Sequence, residues 1–399
     1  MKILVLNSGS SSIKFQLFEM DKNLSLVSGV IEQIGETHSH AKIKYLSENG
    51  EETVLEENRP IKNHKEGLNV VNSLLIKSGI IDDLSQLDGM GHRVVHGGEK
   101  FSKPIIVDND SIMEIEKLIP LAPLHNPANL EGIKSSMEHS PNVPQIAVFD
   151  TAFHATLPKH AYMYALPYEV YEQNGVRRYG FHGTSHHFIV KEAAKFLNKD
   201  LKNFNAITLH LGNGASMCAV KNGESIDTTM GLTPLEGLIM GTRSGDIDPA
   251  ILFYLSRVKG MNIDELDTML NKKSGLKGIC GNNDMREIGE MSENGDEKAK
   301  LALDMFNYRI KKYIGSYSAV LGRVDAIIFT GGIGENDIEV RKNSCFNLEN
   351  IGIKIDEEKN NQRAKEILDI THKDGKVKIL VVPTNEELEI ALQVKSLIS

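Results

Sequence analysis

Three short glycine-rich turns, each behind an apolar run, are the first places where this sequence could do chemistry. Asn7-Ser8-Gly9-Ser10-Ser11-Ser12 follows Ile3 to Leu6, Gly212-Asn213-Gly214 follows Ala206 to Leu211, and Gly331 to Asn336 follows Asp325 to Thr330. Glycine lets backbone N–H groups come close to an anion, and such turns make concave anion sites. No GxxxxGKS/T loop is present, and Gly331-Gly332-Ile333-Gly334 lacks the GxGxxG spacing of a dinucleotide fingerprint. One such turn is ordinary turn chemistry. Three in a repeated context point to nucleotide phosphates.

Cations and carboxylates lie near these turns in type and setting. Arg93 stands in Gly91-His92-Arg93-Val94-Val95-His96-Gly97-Gly98, and Arg243 in Gly241-Thr242-Arg243-Ser244-Gly245. Glycine flanks place both on loops, where a guanidinium can grip carboxylate or phosphate in bidentate fashion. The plainer alternative is a surface ion pair. His182 and His186 in Phe181-His182-Gly183-Thr184-Ser185-His186 have a spacing that could bind zinc on a helix. Gly183-Thr184-Ser185 between them argues instead for a loop or helix cap, and HExxH is absent. A phosphate donor or a satisfied structural histidine is the expectation. His125 sits in a proline-held loop, Ala122-Pro123-Leu124-His125-Asn126-Pro127, and His210 alternates along its strand. Asp150 at a strand end and Glu386 at a helix start are the carboxylates available to a metal. Glu386 is equally well read as a charge that suits a helix N-terminus.

The elements that must position these residues repeat. Strand, glycine turn, strand, turn and strand run from Lys2 to Ile31 and again from Ala206 to Thr228, about 200 residues later. The second copy closes on an Asn222-Gly223 hairpin turn. The spacing predicts a duplication: two similar α/β domains facing each other across a nucleotide cleft. The boundaries expected are 1–150 plus 385–399 for one domain and 151–384 for the other. A buried strand is expected at Gln145 to Phe149, and a long helix from about Glu297 to Gly322 with Leu303, Phe306, Ile310, Tyr313, Tyr317 and Val320 inward. Glu51 to Lys65 reads as a surface loop. A helix starting after Pro383-Thr384-Asn385 is expected to be capped by Thr384 or Asn385.

Composition excludes several classes. The 399 residues carry 45 Lys plus Arg against 54 Asp plus Glu, a net charge of -9. No basic block exists to neutralise a nucleic-acid backbone. Apolar runs reach about five residues where a membrane span needs about 20, and the N-terminal run is too short for a signal peptide. The 3 cysteines are far apart with no CxxC, which fits a reducing cytoplasm better than a disulfide framework.

Read together, the motifs resemble one family. Asn7 to Phe15, Arg93-Val94-Val95-His96-Gly97-Gly98, Phe149 to His154, Tyr179 to His186, His210 to Gly214, Gly332 to Asn336 and Pro383 to Glu387 are similar in wording and order to the acetate kinases of the acetokinase family. The resemblance implies an α/β fold of duplicated actin-like ATPase (RNase H-like) domains with ATP between them. It further implies a cytoplasmic homodimer and a phosphotransferase with a carboxyl group as acceptor. The reaction would be reversible, Mg2+-dependent conversion of ATP and acetate to ADP and acetyl phosphate, with Mn2+ as a substitute metal. No nucleic-acid or membrane partner is expected.

Site roles follow from the same resemblance. Arg93 would grip the acceptor carboxylate, and Val95, Leu124, Phe181 and Pro234 would surround its methyl group, with His125 also on the substrate side. Arg243 and His182 would bind the transferring phosphoryl group. Asn7 and Glu386 would organise Mg2+. Lys14, His210, Leu211, Gly212, Asn213, Gly214, Asp284, Met285, Arg286, Gly332, Ile333, Gly334, Glu335 and Asn336 would hold the nucleotide. Asp150 is the family's proton donor or acceptor. Acetate is already ionised near neutral pH and needs no base, so the expectation is that Asp150 fixes a metal water or orients Arg93. Propionate and butyrate kinases are alternatives within the family. An Hsp70- or actin-like ATP switch is the alternative outside it, and would need a peptide-binding domain or filament surface that the sequence does not offer.

Overall fold

The computed structural model of the chain describes residues 1–47, 51–123 and 125–399. Two compact units divide it: Met1–Ala152 with Asn385–Ser399, and Phe153–Thr384.

The first unit is built on β1 (Lys2–Ser8), β2 (Ser12–Glu19), β3 (Leu24–Glu32), β4 (Ser39–Leu46), β5 (Glu52–Arg59), β6 (Gly89–Val94), β7 (Ile105–Ile106) and β8 (Gln145–Phe149). They form one sheet in the order β5-β4-β3-β2-β1-β6-β8-β7. Strands β1, β6 and β8 run parallel and the remaining pairs are antiparallel. Strand periodicity splits β1 between two faces. Ile3 and Val5 pack with Ile146, Val148 and the C-terminal helix residues Ile390, Ala391 and Val394. Leu4 and Leu6 pack with Leu68, Val71 and Leu74 of the helix His64–Lys77. A parallel central strand covered on both faces must be apolar throughout, which is why Ile3 to Leu6 reads as a continuous run.

The second unit repeats this plan with β9 (Ala206–Leu211), β10 (Ala215–Lys221), β11 (Glu224–Thr228), β12 (Ala326–Thr330), β13 (Leu368–Asp369) and β14 (Lys378–Val381). The order is β11-β10-β9-β12-β14-β13. β9, β12 and β14 are parallel, while β9-β10-β11 is an antiparallel meander like β1-β2-β3. Strand for strand, β9 to β12 to β14 matches β1 to β6 to β8. The expected duplication is present in the topology.

Three local expectations change. The segment read as a loop over Glu51 to Lys65 contains β5, an edge strand antiparallel to β4. Its polar side chains belong to a half-solvated edge, where Lys42 and Glu56 pair across the strands at 2.5 Å. The long helix spans Glu297–Leu321, but Val320 is exposed; the inward stripe runs Phe306, Ile310, Ile314, Tyr317 and Leu321. The glycine turn at Gly331 is the first turn of a short helix, Gly331–Asn336, entered through Gly331 at φ +79°. Among the described residues no helix is long and apolar enough to cross a membrane.

Candidate active site

In the first unit, Arg93 lies within β6 and not on the loop its glycine flanks suggested, and it meets Asp150 just past β8 because those strands are hydrogen-bonded neighbours. Arg93 Nη2 donates to Asp150 Oδ2 at 2.5 Å, with Asp150 almost fully buried. Burial opposes the Arg93 charge, yet the carboxylates of Asp150, Glu386 and Glu387 hold it firmly protonated. Its Nε is buried without a hydrogen-bond acceptor. One guanidinium facing three carboxylates leaves room for a further cation, a test of fit for a metal. Glu386 answers in the same sense. Burial, opposed by Arg93 and aided by Asp150 and Glu387, raises its proton affinity to about 7. A divalent cation would relieve that. No cluster of three or more His, Cys, Asp or Glu suited to a metal exists among the described residues. Mg2+ does not need one, since it keeps several waters and takes one or two carboxylates. The side chains near Arg93 therefore fit such an ion.

Asn7 on β1 lies directly across from Lys14 on β2. Lys14 thus belongs to the first unit, within electrostatic reach of Glu386. Glu386 opens the helix Glu386–Ile398, capped by Asn385, whose Oδ1 accepts from Leu388 N at 2.9 Å.

Around Arg93 stands a frame that the motifs did not disclose. Asn129 Oδ1 accepts from Val95 N at 3.1 Å, and Asn129 Nδ2 donates to Ser8 O at 2.7 Å. Asn126 exchanges two hydrogen bonds with the His96 backbone, and Thr151 Oγ1 accepts from Gly97 N. Buried amides on the helix Asn126–His139 thereby fix both the acceptor segment and the end of β1. His64 holds the first glycine turn through a 2.6 Å contact of its Nε2 with Gly9 O. Val95 is buried and His125 half-buried in this unit. Leu124 lies outside the described residues.

In the second unit, His182 precedes the helix Gly183–Phe196 at φ +56°, a left-handed conformation uncommon for a residue with a Cβ. That conformation directs the ring toward Gly214. A Cβ at Gly214 would lie 3.6 Å from His182 Nε2 and 3.7 Å from Arg243 Nη1. Two side-chain nitrogens thus approach one point, and glycine leaves the space beside them open. Arg243 is half-buried, and burial lowers its proton affinity with no carboxylate among the described residues to oppose this. Its Nη1 reaches only Pro234 O at 3.3 Å and Met240 Sδ at 3.9 Å. A guanidinium without a counter-charge is an anion site. His210 stacks on His182 with ring centroids 4.2 Å apart. Ser185 Oγ links His210 Nδ1 at 2.7 Å to Thr384 Oγ1 at 2.9 Å.

The loop carrying Pro234 and Arg243 is anchored by Arg178. Its Nη1 donates to the carbonyls of Thr228, Thr229 and Met230, and its Nη2 to Glu236 at 2.6 Å. Phe181 is buried next to His182 in sequence.

A pocket of about 760 Å3 opens in the same unit. Of the residues expected at a nucleotide, Gly212, Asn213, Asp284, Met285, Arg286, Gly332, Ile333 and Asn336 line it. Gly241, Leu276, Asn283, Ile338 and Arg363 join them unforeseen. A Cβ on Gly241 would meet Asn213 Oδ1 at 1.9 Å and displace that side chain. Glu335 turns inward, accepting from Gly331 N at 3.0 Å and Thr384 N at 3.2 Å. Leu211 and Gly334 are buried and outside the pocket lining, and a Cβ on Gly334 would lie 3.7 Å from Leu211 Cβ. Asp284 and Arg286 form a bidentate pair that holds the Asp284 carboxyl below the usual range.

An anion site beside a nucleotide-sized pocket suits phosphoryl chemistry, and comparison with known proteins agrees. The family model of the acetokinase family matches residues 2–392. The chain belongs to the acetokinase family. It is 58% identical over 396 residues to the acetate kinase of Campylobacter concisus, covering 98% of each chain. It is 56% identical to that of Helicobacter pylori, covering 100% of this chain and 99% of the relative. Among solved structures, Porphyromonas gingivalis acetate kinase matches with a TM-score of 0.93 at 44% identity over the whole of both chains. A propionate kinase from Francisella tularensis matches with a TM-score of 0.91, also at 44% identity, over 98% of each. The fold is the family's duplicated actin-like α/β architecture. As a member of the acetokinase family the chain is a phosphotransferase that uses ATP, a divalent metal and a carboxyl group as acceptor. The acetate-kinase reading of the motifs is the one these full-length relatives carry.

Proposed function

We propose that the chain catalyses the reversible, Mg2+-dependent transfer of the γ-phosphoryl group of ATP to acetate, giving acetyl phosphate and ADP. The observation that carries this reading is the convergence of His182 Nε2 and Arg243 Nη1 beside Gly214, with no counter-charge to Arg243 among the described residues.

The chemical difficulty is repulsion between a carboxylate and an anionic phosphoryl group. Two unit charges about 4 Å apart interact by roughly 4 kcal/mol at an effective dielectric of about 20. Arg93 binds the acceptor carboxylate, and Asp150 holds the guanidinium in place for it. Acetate arrives ionised, so Asp150 need not accept a proton. Arg243 and His182 hold the equatorial phosphoryl oxygens, where donors set in advance stabilise developing charge. Asn7 and Glu386 are the proposed metal holders, and bound Mg2+ would offset charge on the phosphates. The backbone of Gly212 to Gly214 and of Gly332 to Asn336 holds the nucleotide, and Val95 borders the acceptor methyl group. A cytoplasmic homodimer completes the reading.

Trapping the product as acetyl hydroxamate from ATP, Mg2+ and acetate tests it directly. Formation that needs all three supports the assignment, and ATP hydrolysis without hydroxamate would favour an ATP switch instead. Propionate is the second reading, since one full-length structural relative is a propionate kinase. A single methylene is worth only about 1–3 kcal/mol in a pocket. Both acids at equal concentration in one assay decide between them, and light scattering in solution decides the dimer.

A further inference from the structure

Four side chains of the second unit form a line leading away from the anion site. His182 Nδ1 meets Ser216 Oγ at 2.8 Å, Ser216 Oγ meets His186 Nε2 at 2.8 Å, and His186 Nδ1 meets Thr208 Oγ1 at 2.7 Å. Thr208, Ser216 and His186 are wholly buried, and the mechanism above does not use them.

A hydroxyl carries one hydrogen. Ser216 lies between two imidazole nitrogens; accepting from both would leave its own buried hydrogen without an acceptor, so it donates to one and accepts from the other. Burial keeps His186 neutral, well below the usual histidine range, so its ring holds a single hydrogen. Two patterns remain. In the first, Thr208 donates to His186 Nδ1, His186 Nε2–H donates to Ser216, and Ser216 donates to His182 Nδ1. The hydrogens of Thr208, His186 and Ser216 then each lie in a bond of 2.7 to 2.8 Å, and the His182 hydrogen on Nε2 lies beside Gly214, away from the buried line. In the second, each donation reverses, and the Thr208 hydrogen is left with Cys218 O at 3.5 Å. That distance is at the edge of bonding, and a buried donor without a proper acceptor is costly. The first pattern is favoured.

We propose that Thr208, His186 and Ser216 form a directed hydrogen-bond relay that fixes His182 as the tautomer bearing its hydrogen on Nε2, the nitrogen beside Gly214. The proposal rests on the assignment of His182 to the phosphoryl group and deepens it. A lone pair on Nε2 would repel a phosphoryl oxygen, whereas Nε2–H donates to it. His182 thus supplies a hydrogen bond while Arg243 supplies charge. The three relay members touch no substrate and are positioning residues.

Ring 15N spectra of histidine-labelled protein near neutral pH, with His182 assigned by loss of its signals in His182→Gln, test the relay without reference to activity. A neutral Nε2–H pattern supports it. A neutral Nδ1–H pattern, or protonation of both nitrogens, overturns it. Thr208→Val keeps the shape and removes the first donor, and should give a mixture of tautomers at His182. Its kcat should fall about tenfold while KM for ATP and acetate moves less than about twofold. Thr208→Ser should restore both tautomer and kcat. A Val variant that keeps the wild-type tautomer overturns the proposal, as does a Ser variant that fails to rescue. Where Thr208→Val does not fold, Ser216→Ala carries the same expectation, because it removes the bond next to His182. The ring spectrum decides the relay and the hydroxamate assay decides the function, so each can fail without the other.

Discussion

Removing Arg93 and removing Arg243 should damage different kinetic constants. Arg93 is already paired with Asp150 at 2.5 Å and surrounded by carboxylate charge, which suits holding an acceptor before reaction. Arg243 has no counter-charge among the described residues and lies with His182 beside Gly214, which suits charge that develops during transfer. Arg93→Ala is expected to raise KM for acetate by at least about tenfold with a smaller change in kcat. Arg243→Ala is expected to lower kcat by about 10²–10³. Steady-state kinetics on both variants check this, and equal effects confined to KM would reject the division. Val95 sets acceptor size on the same reading. Trimming it to Ala removes methyl contacts worth about 0.8 kcal/mol per buried carbon, so KM for acetate should rise a few-fold and KM for propionate should fall. An unchanged preference for acetate would remove Val95 from that pocket.

At the scale of elements, the C-terminal helix is held against β6 by two glycines. A Cβ on Gly91 would lie 2.8 Å from Ile390 Cγ2 and 2.9 Å from Val394 Cγ2. Gly91→Ala forces that helix outward, and overpacking of this kind costs about 1–3 kcal/mol. Glu386 opens the same helix. The variant is therefore expected to show a lower midpoint in urea and a higher Mg2+ requirement; a shift in stability alone would mean that the helix start does not move with its body. How much of this was legible in the sequence depends on range. The strand–turn–strand repeats were readable because alternation and glycine turns are local signals, and so was a cap at Thr384 or Asn385, which falls to Asn385. The Asn129 bridge to Ser8 was not, because its partners lie 121 residues apart and an asparagine within a helix carries no mark of its neighbours. The relay behind His182 was hidden for the same reason: Thr208 and Ser216 read as ordinary strand residues. β5 was missed because an edge strand with charges on both faces has the composition of a loop. His182 stood out by its spacing to His186 and Arg243 by its glycine neighbours, one of which the backbone requires. Gly245 sits at φ +64° with its Cβ position 2.3 Å from Leu238 O.

At the scale of the molecule, the last 15 residues belong to the unit formed by the first 152. The chain therefore crosses between units twice, after Ala152 and after Thr384. Thr384 is tied into the second unit through Glu335 and Ser185, while its neighbour Asn385 caps a helix of the first. Ile390, Ala391 and Val394 of that helix cover Ile3, Val5, Phe18, Ile146 and Val148. Full burial of an Ile or Val side chain stabilises by about 1.5–3 kcal/mol. Losing these contacts, with those of Leu388, Leu392 and Ile398 at the margin, removes an amount comparable to the roughly 5–15 kcal/mol that holds a domain folded. The second unit keeps all of its strands. Deleting residues 385–399 should therefore unfold the first unit selectively. Limited proteolysis followed by mass spectrometry is expected to cut first within residues 1–152 and to leave a protected fragment from about residue 153 onward. Nucleotide binding to that fragment should survive, because the pocket residues all lie within it. Kinase activity should be lost, because Glu386 is gone and the pairing of Arg93 with Asp150 depends on an intact β6–β8 edge. Uniform resistance to protease across the truncated chain would show that the helix is a cover the first unit can do without. Early cutting within residues 153–384 would show that the second unit depends on the first for its own stability.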